Sequence, residues 1–215
     1  MRAVFLDKDG TLIIDEPYNV DPERIELLSG VLEGLQKLQA AGYRLIVVTN
    51  QSGVARGLFP GSALLGVEER LRQLLAKAGV PLAGFYYCPH HPQGIVAPYA
   101  MECDCRKPRP GLLLQAASVH HIQLTQSWMI GDILDDVEAG RRAGCRAVLI
   151  DNGHETEWQP SPLREPQLRA RNFLEAAEYI GQYLEDTNLE TLMAREESVI
   201  YDSQLNRPYP VVFGT

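Results

Sequence analysis

The sequence predicts an α/β fold in which a doubly wound parallel sheet carries helices on both faces. Short apolar runs of strand length alternate with longer segments of helical period along most of the chain. Three of these runs are rich in valine and isoleucine, as buried parallel strands are. This alternation favours a parallel sheet covered by helices, because each strand returns to the sheet through a helix.

The elements can be assigned in chain order. The predicted strands are AVFLD at 3–7, RLIVVTN at 44–50, GFYYC at 84–88, WMIGD at 128–132 and AVLID at 147–151. The predicted helices cover 31–42, 62–79, 110–121 and 134–144, and a last helix is expected at 172–184. The second and fourth of these helices end on Gly79 and Gly144, where a helix stop is typical.

Length and charge limit the domain organisation and the partners. A chain of 215 residues is expected to form one domain, residues 1–184, followed by an extension at 185–215 whose role the sequence does not disclose. The net charge of -8 argues against binding to nucleic acid or to an anionic membrane. We expect a cytoplasmic protein, because no leader segment is recognised and no apolar stretch approaches the roughly 18 residues of a membrane span.

Polar side chains stand where three of the predicted strands end. Asp7, Thr49 and Asp132 occupy these positions, and the carboxyl ends of strands in an open α/β sheet border the ligand crevice. Two carboxylates held close together repel each other unless a cation neutralises them, so Asp7 and Asp132 predict a Mg²⁺ site. Asp9 would lie beside it as a general acid and base. The alternative for residues 7–11 is an ordinary turn, because Asp and Gly are common turn residues.

The loop at residues 88–110 is polar, rich in proline and long for a compact domain, so it needs something to order it. Its C-x-H and C-x-C pairs supply three thiols and an imidazole, the ligand set of a closed, structural zinc site. The expected ligands are Cys88, His90, Cys103 and Cys105. Spacing alone does not choose between His90 and His91. A disulfide or unrelated free thiols are the alternatives, and an odd cluster without a leader segment disfavours the disulfide.

Four ordered motifs resemble those of the haloacid dehalogenase superfamily of phosphotransferases. They are Asp7-Lys8-Asp9-Gly10-Thr11, Thr49, Lys107, and Gly131-Asp132 with Asp135 and Asp136. The resemblance implies a Rossmann-like domain in which Asp7 is the nucleophile, forming an aspartyl-phosphate, while Asp9 protonates the leaving oxygen and later activates water. Thr49 and Lys107 would stabilise the phosphoryl oxygens. The expected magnesium ligands are Asp7, Asp9 and Asp132.

Three further stretches, VVTNQSGVARGLF, YYCPHHPQG and CDCRKPRPG, are similar to the heptose-1,7-bisphosphate 7-phosphatase family of the histidinol-phosphatase-like branch. This resemblance runs from about residue 2 to about residue 183 and implies that His90 is the zinc ligand. The implied reaction is the Mg²⁺-dependent hydrolysis of the 7-phosphate of D-glycero-D-manno-heptose 1,7-bisphosphate. The implied substrate contacts are Asp15, Tyr18, Asn50, Gln51, Ser52 and Arg106.

Two other functions stay open at this point. A histidinol-phosphate phosphatase would carry the same motifs, although SGVARGLF after Gln51 resembles the heptose enzymes more. A zinc-stabilised binding module without catalysis is disfavoured because Asp7, Asp9 and Lys107 are all present. No stretch predicts a large cap domain, so the expected partner is a small phosphorylated sugar. A monomer is the default, and the sequence leaves the oligomeric state open.

Three residues outside these motifs have simpler interpretations. His154 and Glu155 lie in a loop after the last predicted strand, and we expect neither to reach the site. Cys145 precedes an apolar run and is expected to be a small buried residue.

Overall fold

A computed structural model describes residues 1–184, 186 and 187. The predicted extension at 185–215 lies outside the described residues except for two positions. The chain divides into two compact units, Met1–Glu178 and Tyr179–Thr215, and the first contains the whole sheet. The domain boundary predicted at residue 184 stays a prediction.

Six parallel strands form one sheet. They are β1 (Ala3–Leu6), β2 (Arg44–Asn50), β3 (Gly84–Cys88), β4 (Trp128–Gly131), β5 (Arg146–Ile150) and β6 (Leu168–Ala170). Five of them lie where the sequence predicts strands, and β6 is new. With only three residues and Arg169 at its centre, β6 shows no apolar run, so it had no sequence signal. It forms because its backbone pairs with β5.

The four helices predicted within the βα units are present. They are α1 (Val31–Ala40), α2 (Ala63–Ala76), α3 (Gly111–His120) and α4 (Leu134–Ala143), with helical residues at 173–184 after β6. Short 3-10 helices cover Pro22–Arg24, Leu124–Gln126 and Pro162–Arg164. α4 stops at Gly144 as predicted, where a φ of 91° suits glycine. Among the described residues, no helix combines the length and the apolar character that a membrane span requires.

Both faces of the sheet are buried. Phe5 of β1 shares an apolar cluster with Leu113 of α3 and Val137 of α4. Its strand neighbours Val4 and Leu6 point to the opposite face, because side chains alternate along a strand, and they too are fully buried. α1 packs against β2. The structure thus confirms the predicted doubly wound sheet, and the described residues include no large cap domain.

The strand order places the site. The sheet has the strand order β3-β2-β1-β4-β5-β6. The chain starts at the central β1 and adds β2 and β3 toward one edge, then returns to the centre at β4 and adds β5 and β6 toward the other edge. In open α/β sheets the ligand crevice lies at such a switch point, beyond the carboxyl ends of the strands. Here the crevice opens between β1 and β4, where Leu6 pairs with Ile130.

Candidate active site

The first two site residues leave the sheet together at the switch point. Asp7 follows β1, and its backbone N–H donates to the Ile130 carbonyl at 2.9 Å. Asp132 follows β4 directly after Gly131, so the two carboxylates emerge side by side. Both are buried, with 7% of Asp7 and 5% of Asp132 exposed. The prediction that the strand ends bring Asp7 and Asp132 together is therefore confirmed.

A third carboxylate completes this group. Asp136, in the first turn of α4, is fully buried, and oxygens of Asp7, Asp132 and Asp136 lie within 4.8 Å of one another. Burial, and then the charge of Asp7, raise the pKa of Asp132 to about 9, and burial raises the pKa of Asp136 to about 7. Crowded, buried oxygen donors of this kind suit a hard divalent cation such as Mg²⁺.

Lys107 neutralises part of this charge. Its Nζ lies 2.5 Å from Oδ1 of Asp7 and 2.5 Å from Oδ1 of Asp136, and it donates to the Val48 carbonyl at 3.0 Å. Burial alone lowers the pKa of Lys107, but the Asp136 and Asp7 carboxylates outweigh burial and raise it. We call Asp7, Asp132, Asp136 and Lys107 the carboxylate centre.

Asn50 holds Lys107 in place through the backbone. The Asn50 side chain accepts from the Lys107 N–H at 3.0 Å and donates to the Lys107 carbonyl at 3.1 Å. This amide, at the end of β2, therefore fastens the lysine segment to the sheet. The Asn50 side chain is thus bonded to the Lys107 backbone, and its predicted substrate contact stays a prediction.

Asp9 lies to one side of the carboxylate centre. Its carboxylate contacts Nζ of Lys8 and accepts from Nε2 of Gln51 at 3.0 Å. Gln51 Nε2 also donates to Oγ1 of Thr49 at 3.1 Å, so the Gln51 amide connects Asp9 with Thr49. Burial raises the pKa of Asp9, which favours a carboxyl group that can hold a proton. The turn after β1 directs the Asp9 side chain toward Gln51, and the predicted role of Asp9 as a magnesium ligand stays a prediction.

A cavity of about 230 Å³ opens beside Asp9. Its lining includes five of the six predicted substrate contacts, namely Asp15, Tyr18, Asn50, Gln51 and Ser52. The sixth, Arg106, lines a different cavity of about 260 Å³ together with Lys107 and His91. The structure thus gathers five predicted contacts around Asp9 and places Arg106 beyond Lys107.

The predicted zinc ligands converge on one point. The Sγ atoms of Cys88 and Cys105 are 3.0 Å apart, and Cys103 Sγ lies 3.5 Å and 3.3 Å from them. His90 Nδ1 lies 3.3 Å from Cys105 Sγ, whereas His91 Nε2 instead lies 3.3 Å from Nη2 of Arg56. Of the two histidines that spacing leaves open, His90 is the one that lies among the three thiols. We call Cys88, His90, Cys103 and Cys105 the thiol cluster.

The chemistry of the thiol cluster fits zinc. Three thiols and one imidazole nitrogen form a closed tetrahedral donor set, and zinc binding would replace the thiol protons. The hydrogen bond between Cys88 and Cys105 raises the pKa of Cys88 and lowers that of Cys105 to about 5. Cys145 lies apart from the cluster and is 3% exposed, as expected of a buried residue. Burial raises its pKa to about 12.

The expectation that His154 and Glu155 stay away from the site is wrong. His154 Nδ1 lies 2.6 Å from Oδ2 of Asp132, and Glu155 Oε2 accepts from the Leu134 N–H at 2.6 Å. Both residues follow β5, the neighbour of β4, at the same edge of the sheet. Their position after a strand was therefore a usable signal, the same one that identified Asp7 and Asp132.

Comparison with known proteins agrees with these motifs. Residues 104–176 match the HAD-hydrolase-like family. The D-glycero-beta-D-manno-heptose-1,7-bisphosphate 7-phosphatase of Pasteurella multocida is 46% identical over 174 residues, which cover 80% of this chain and 90% of that one. The enzyme of the same name from Escherichia coli K12 is 45% identical over 152 residues, which cover 70% of this chain and 80% of that one.

A solved structure gives the same result. The D,D-heptose 1,7-bisphosphate phosphatase from B. bronchiseptica, complexed with magnesium and phosphate, superposes with a TM-score of 0.72 at 30% identity. The match covers 85% of this chain and 99% of that one. The fold, the ordered motifs and these similarities show that the chain is a phosphoric monoester hydrolase of the HAD superfamily, and it belongs to the family of the heptose-1,7-bisphosphate 7-phosphatases.

Proposed function

We propose that the protein removes the 7-phosphate of D-glycero-D-manno-heptose 1,7-bisphosphate through an aspartyl-phosphate on Asp7. The observation that carries the chemistry is the carboxylate centre, where Lys107 Nζ lies 2.5 Å from Asp7 Oδ1 at the switch point of the sheet. The names of the relatives support the substrate.

Asp7 and Asp132 are the residues that would hold Mg²⁺. Their carboxylates are buried side by side, and Lys107, which contacts both Asp7 and Asp136, supplies a counter-charge beside them. Asp9 is instead paired with Lys8 and Gln51. When bound, the ion neutralises the paired carboxylates and polarises the phosphoryl oxygens. In this assignment the Asp9 carboxyl group is not a metal ligand and serves proton transfer.

The chemical steps follow from the positions of Asp7 and Asp9. A carboxylate oxygen of Asp7 attacks phosphorus and forms the acyl-phosphate bond, while the bond to the sugar oxygen breaks. Asp9, whose pKa is raised by burial, gives its proton to that oxygen. Asp9 then takes a proton from water as the water oxygen attacks phosphorus, which breaks the bond to Asp7 and releases inorganic phosphate.

Lys107 and Thr49 serve the transferring group. Thr49 is 1% exposed, and the Gln51 amide beside its Oγ1 leaves the hydroxyl proton available for a phosphoryl oxygen. Lys107 brings a positive charge that its carboxylate neighbours keep protonated. Fixed donors in a water-poor site stabilise the charge that develops on the phosphoryl oxygens.

Zinc in the thiol cluster would have a structural role. Four protein ligands leave no position for substrate, so the metal can act only through the loop that it fastens. Cys105 precedes Lys107 by two residues, and Cys88 ends β3 beside Asn50, the residue that clamps Lys107. The proposed role of zinc is to fix Arg106 and Lys107 at the edge of the site.

The second phosphate and the sugar would be recognised by different residues, which line two separate cavities. Arg106, next to Lys107, supplies the charge and the forked donors that suit a phosphate. Asp15, Tyr18 and Ser52 line the cavity beside Asp9, where the sugar hydroxyls would bind. Tyr18 has a φ of 58°, uncommon for a residue with a side chain, and such outliers cluster at functional sites.

A panel of phosphate esters tests the proposal. We expect kcat/KM for heptose 1,7-bisphosphate to exceed that for histidinol phosphate by at least about tenfold, because histidinol phosphate has no second phosphate for Arg106. We expect a similar margin of about tenfold over fructose 1,6-bisphosphate, because the sugar must fit the cavity lined by Asp15, Tyr18 and Ser52. The product should be the 1-phosphate, identified by phosphorus NMR. A preference for histidinol phosphate would reassign the substrate, and no phosphate release from any ester would point to a binding module.

A further inference from the structure

The loop after β5, residues 151–158, is tied to the site at three points. Asn152 Nδ2 donates to the Gly10 carbonyl at 2.8 Å. His154 Nδ1 lies 2.6 Å from Oδ2 of Asp132, and Glu155 accepts from the first N–H of α4 at 2.6 Å. None of these three side chains belongs to the motifs from which the site was predicted.

The His154 contact is enclosed by the turn after β1. A Cβ atom placed on Gly10 would lie 2.1 Å from Oδ2 of Asp132 and 2.4 Å from Nδ1 of His154. Gly10, with a φ of 72°, thus permits both the turn and the close approach of this pair. The contact is therefore fitted into the first motif.

The backbone around His154 is held by its own loop. The backbone N–H of His154 donates to Oδ1 of Asn152 at 3.2 Å. On either side of the histidine, the Asn152 and Glu155 side chains bond to the Gly10 carbonyl and the Leu134 N–H. The ring remains 38% exposed while the Asp132 side chain is 6% exposed. The aspartate is thus the buried partner, and a donor placed on one of its oxygens fixes its rotation.

We propose that His154 is a positioning residue for the magnesium site. It donates from Nδ1 to Oδ2 of Asp132, and Oδ1 would be the oxygen that binds the ion. Oδ1 has one weak neighbour, Oγ1 of Thr11 at 3.4 Å. Hydrogen bonds to metal-ligating carboxylates orient the ligand, and their loss typically costs about 10- to 100-fold in metal affinity or activity. The inference rests on the proposed assignment of Asp132 to Mg²⁺.

The test measures Mg²⁺ binding without turnover, by isothermal titration of the ion-free protein with MgCl₂. We expect His154→Ala to weaken Mg²⁺ binding by about 10- to 100-fold. His154→Asn keeps a donor at the δ position and should stay within about threefold of the wild type, since the same hydrogen bond can form. Glu157→Ala changes an exposed side chain of the same loop and should bind Mg²⁺ as the wild type does.

Two results would overturn the role of His154. They are wild-type Mg²⁺ affinity in His154→Ala, or a loss in His154→Asn as large as that in His154→Ala. Asp132→Ala separates this failure from a failure of the proposed function. If Asp132→Ala abolishes Mg²⁺ binding while His154→Ala does not change it, only the positioning role is wrong. If Asp132→Ala binds Mg²⁺ normally, the metal assignment and the role of His154 are both wrong.

Discussion

The carboxylate centre and the thiol cluster are assembled by opposite means. Asp7, Lys107 and Asp132 come from segments that span residues 7 to 132, and the parallel sheet brings them together. The thiol cluster comes from two short segments, 88–90 at the end of β3 and 103–105 in the loop that follows. The first site is therefore a product of the fold. The second is local to one stretch of chain, and bound zinc would order the loop between its ligands.

The two sites are joined by the three residues Cys105, Arg106 and Lys107. Cys105 belongs to the thiol cluster and Lys107 Nζ lies 2.5 Å from two carboxylates of the carboxylate centre. A change in the carboxylate centre should therefore affect chemistry directly, whereas a change in the thiol cluster should affect chemistry only through this segment. The predictions below test that difference.

The largest effect is expected for Asp7→Asn. The amide keeps the size of the side chain but cannot attack phosphorus, so phosphate release should fall by at least about a thousandfold. Asp151→Asn is the matched control, because Asp151 follows β5 at the same edge of the sheet but is exposed. Steady-state phosphate release measures both variants. Activity of Asp7→Asn within about tenfold of the wild type would contradict the aspartyl-phosphate mechanism.

Lys107→Met should destabilise the ion-free protein. It removes the cation between Asp7 and Asp136 and leaves buried charge uncompensated, which we expect to lower the free energy of unfolding by about 3 kcal/mol. Urea denaturation in the absence of divalent ions measures this free energy of unfolding. Lys77→Met, at an exposed lysine after α2, is the control and should change stability by less than about 0.5 kcal/mol. Equal stability of the two variants would show that Lys107 is not an essential counter-charge.

Cys103→Ser should act indirectly. Zinc content, measured by elemental analysis, should fall well below about one ion per chain, because the hydroxyl is a poor replacement for a thiolate ligand. KM should rise more than kcat falls, since the loop that carries Arg106 and Lys107 loosens while Mg²⁺ still serves the chemical step. Cys145→Ala removes a thiol outside the thiol cluster and should keep its zinc. Full zinc loading of Cys103→Ser would refute the ligand assignment.

The smallest effect is the pH dependence of stabilisation by Mg²⁺. Burial raises the pKa of Asp132 to about 9 and that of Asp136 to about 7, so the ion-free folded protein keeps protons that the unfolded chain has released. Its free energy of unfolding should therefore fall as the pH rises toward those values. Mg²⁺ competes with these protons, so the rise in Tm on adding MgCl₂ should be larger at about pH 8 than at about pH 6.

The control for this prediction is Asp132→Ala, whose Tm is measured with and without MgCl₂ at the same two pH values. That variant should show a small and pH-independent rise in Tm, because it lacks the carboxylate with the most strongly raised pKa. A rise in the wild type that is equal at both pH values would show that protons and Mg²⁺ do not compete for the carboxylate centre.

The sequence by itself determined the regular part of the molecule. Apolar runs located β1 to β5, because a buried parallel strand must be apolar on both faces. The chemistry-bearing residues at their carboxyl ends, such as Asp7 and Asp132, could be read as one group because parallel strands end at a common edge. The paired spacing around Cys88 and Cys103 predicted the thiol cluster, since closely spaced ligands need little help from the fold.

Only the tertiary structure decided what depends on strand order and side-chain direction. β6 carries no apolar run and exists because β5 offers a free edge. Asp136 and His154 reach the carboxylate centre because α4 and the loop after β5 start at the same edge of the sheet as Asp7. His90 and His91 are adjacent in sequence, but their side chains point to Cys105 and to Arg56. Composition and spacing do not encode these directions, because each is set by packing against residues far away in the chain.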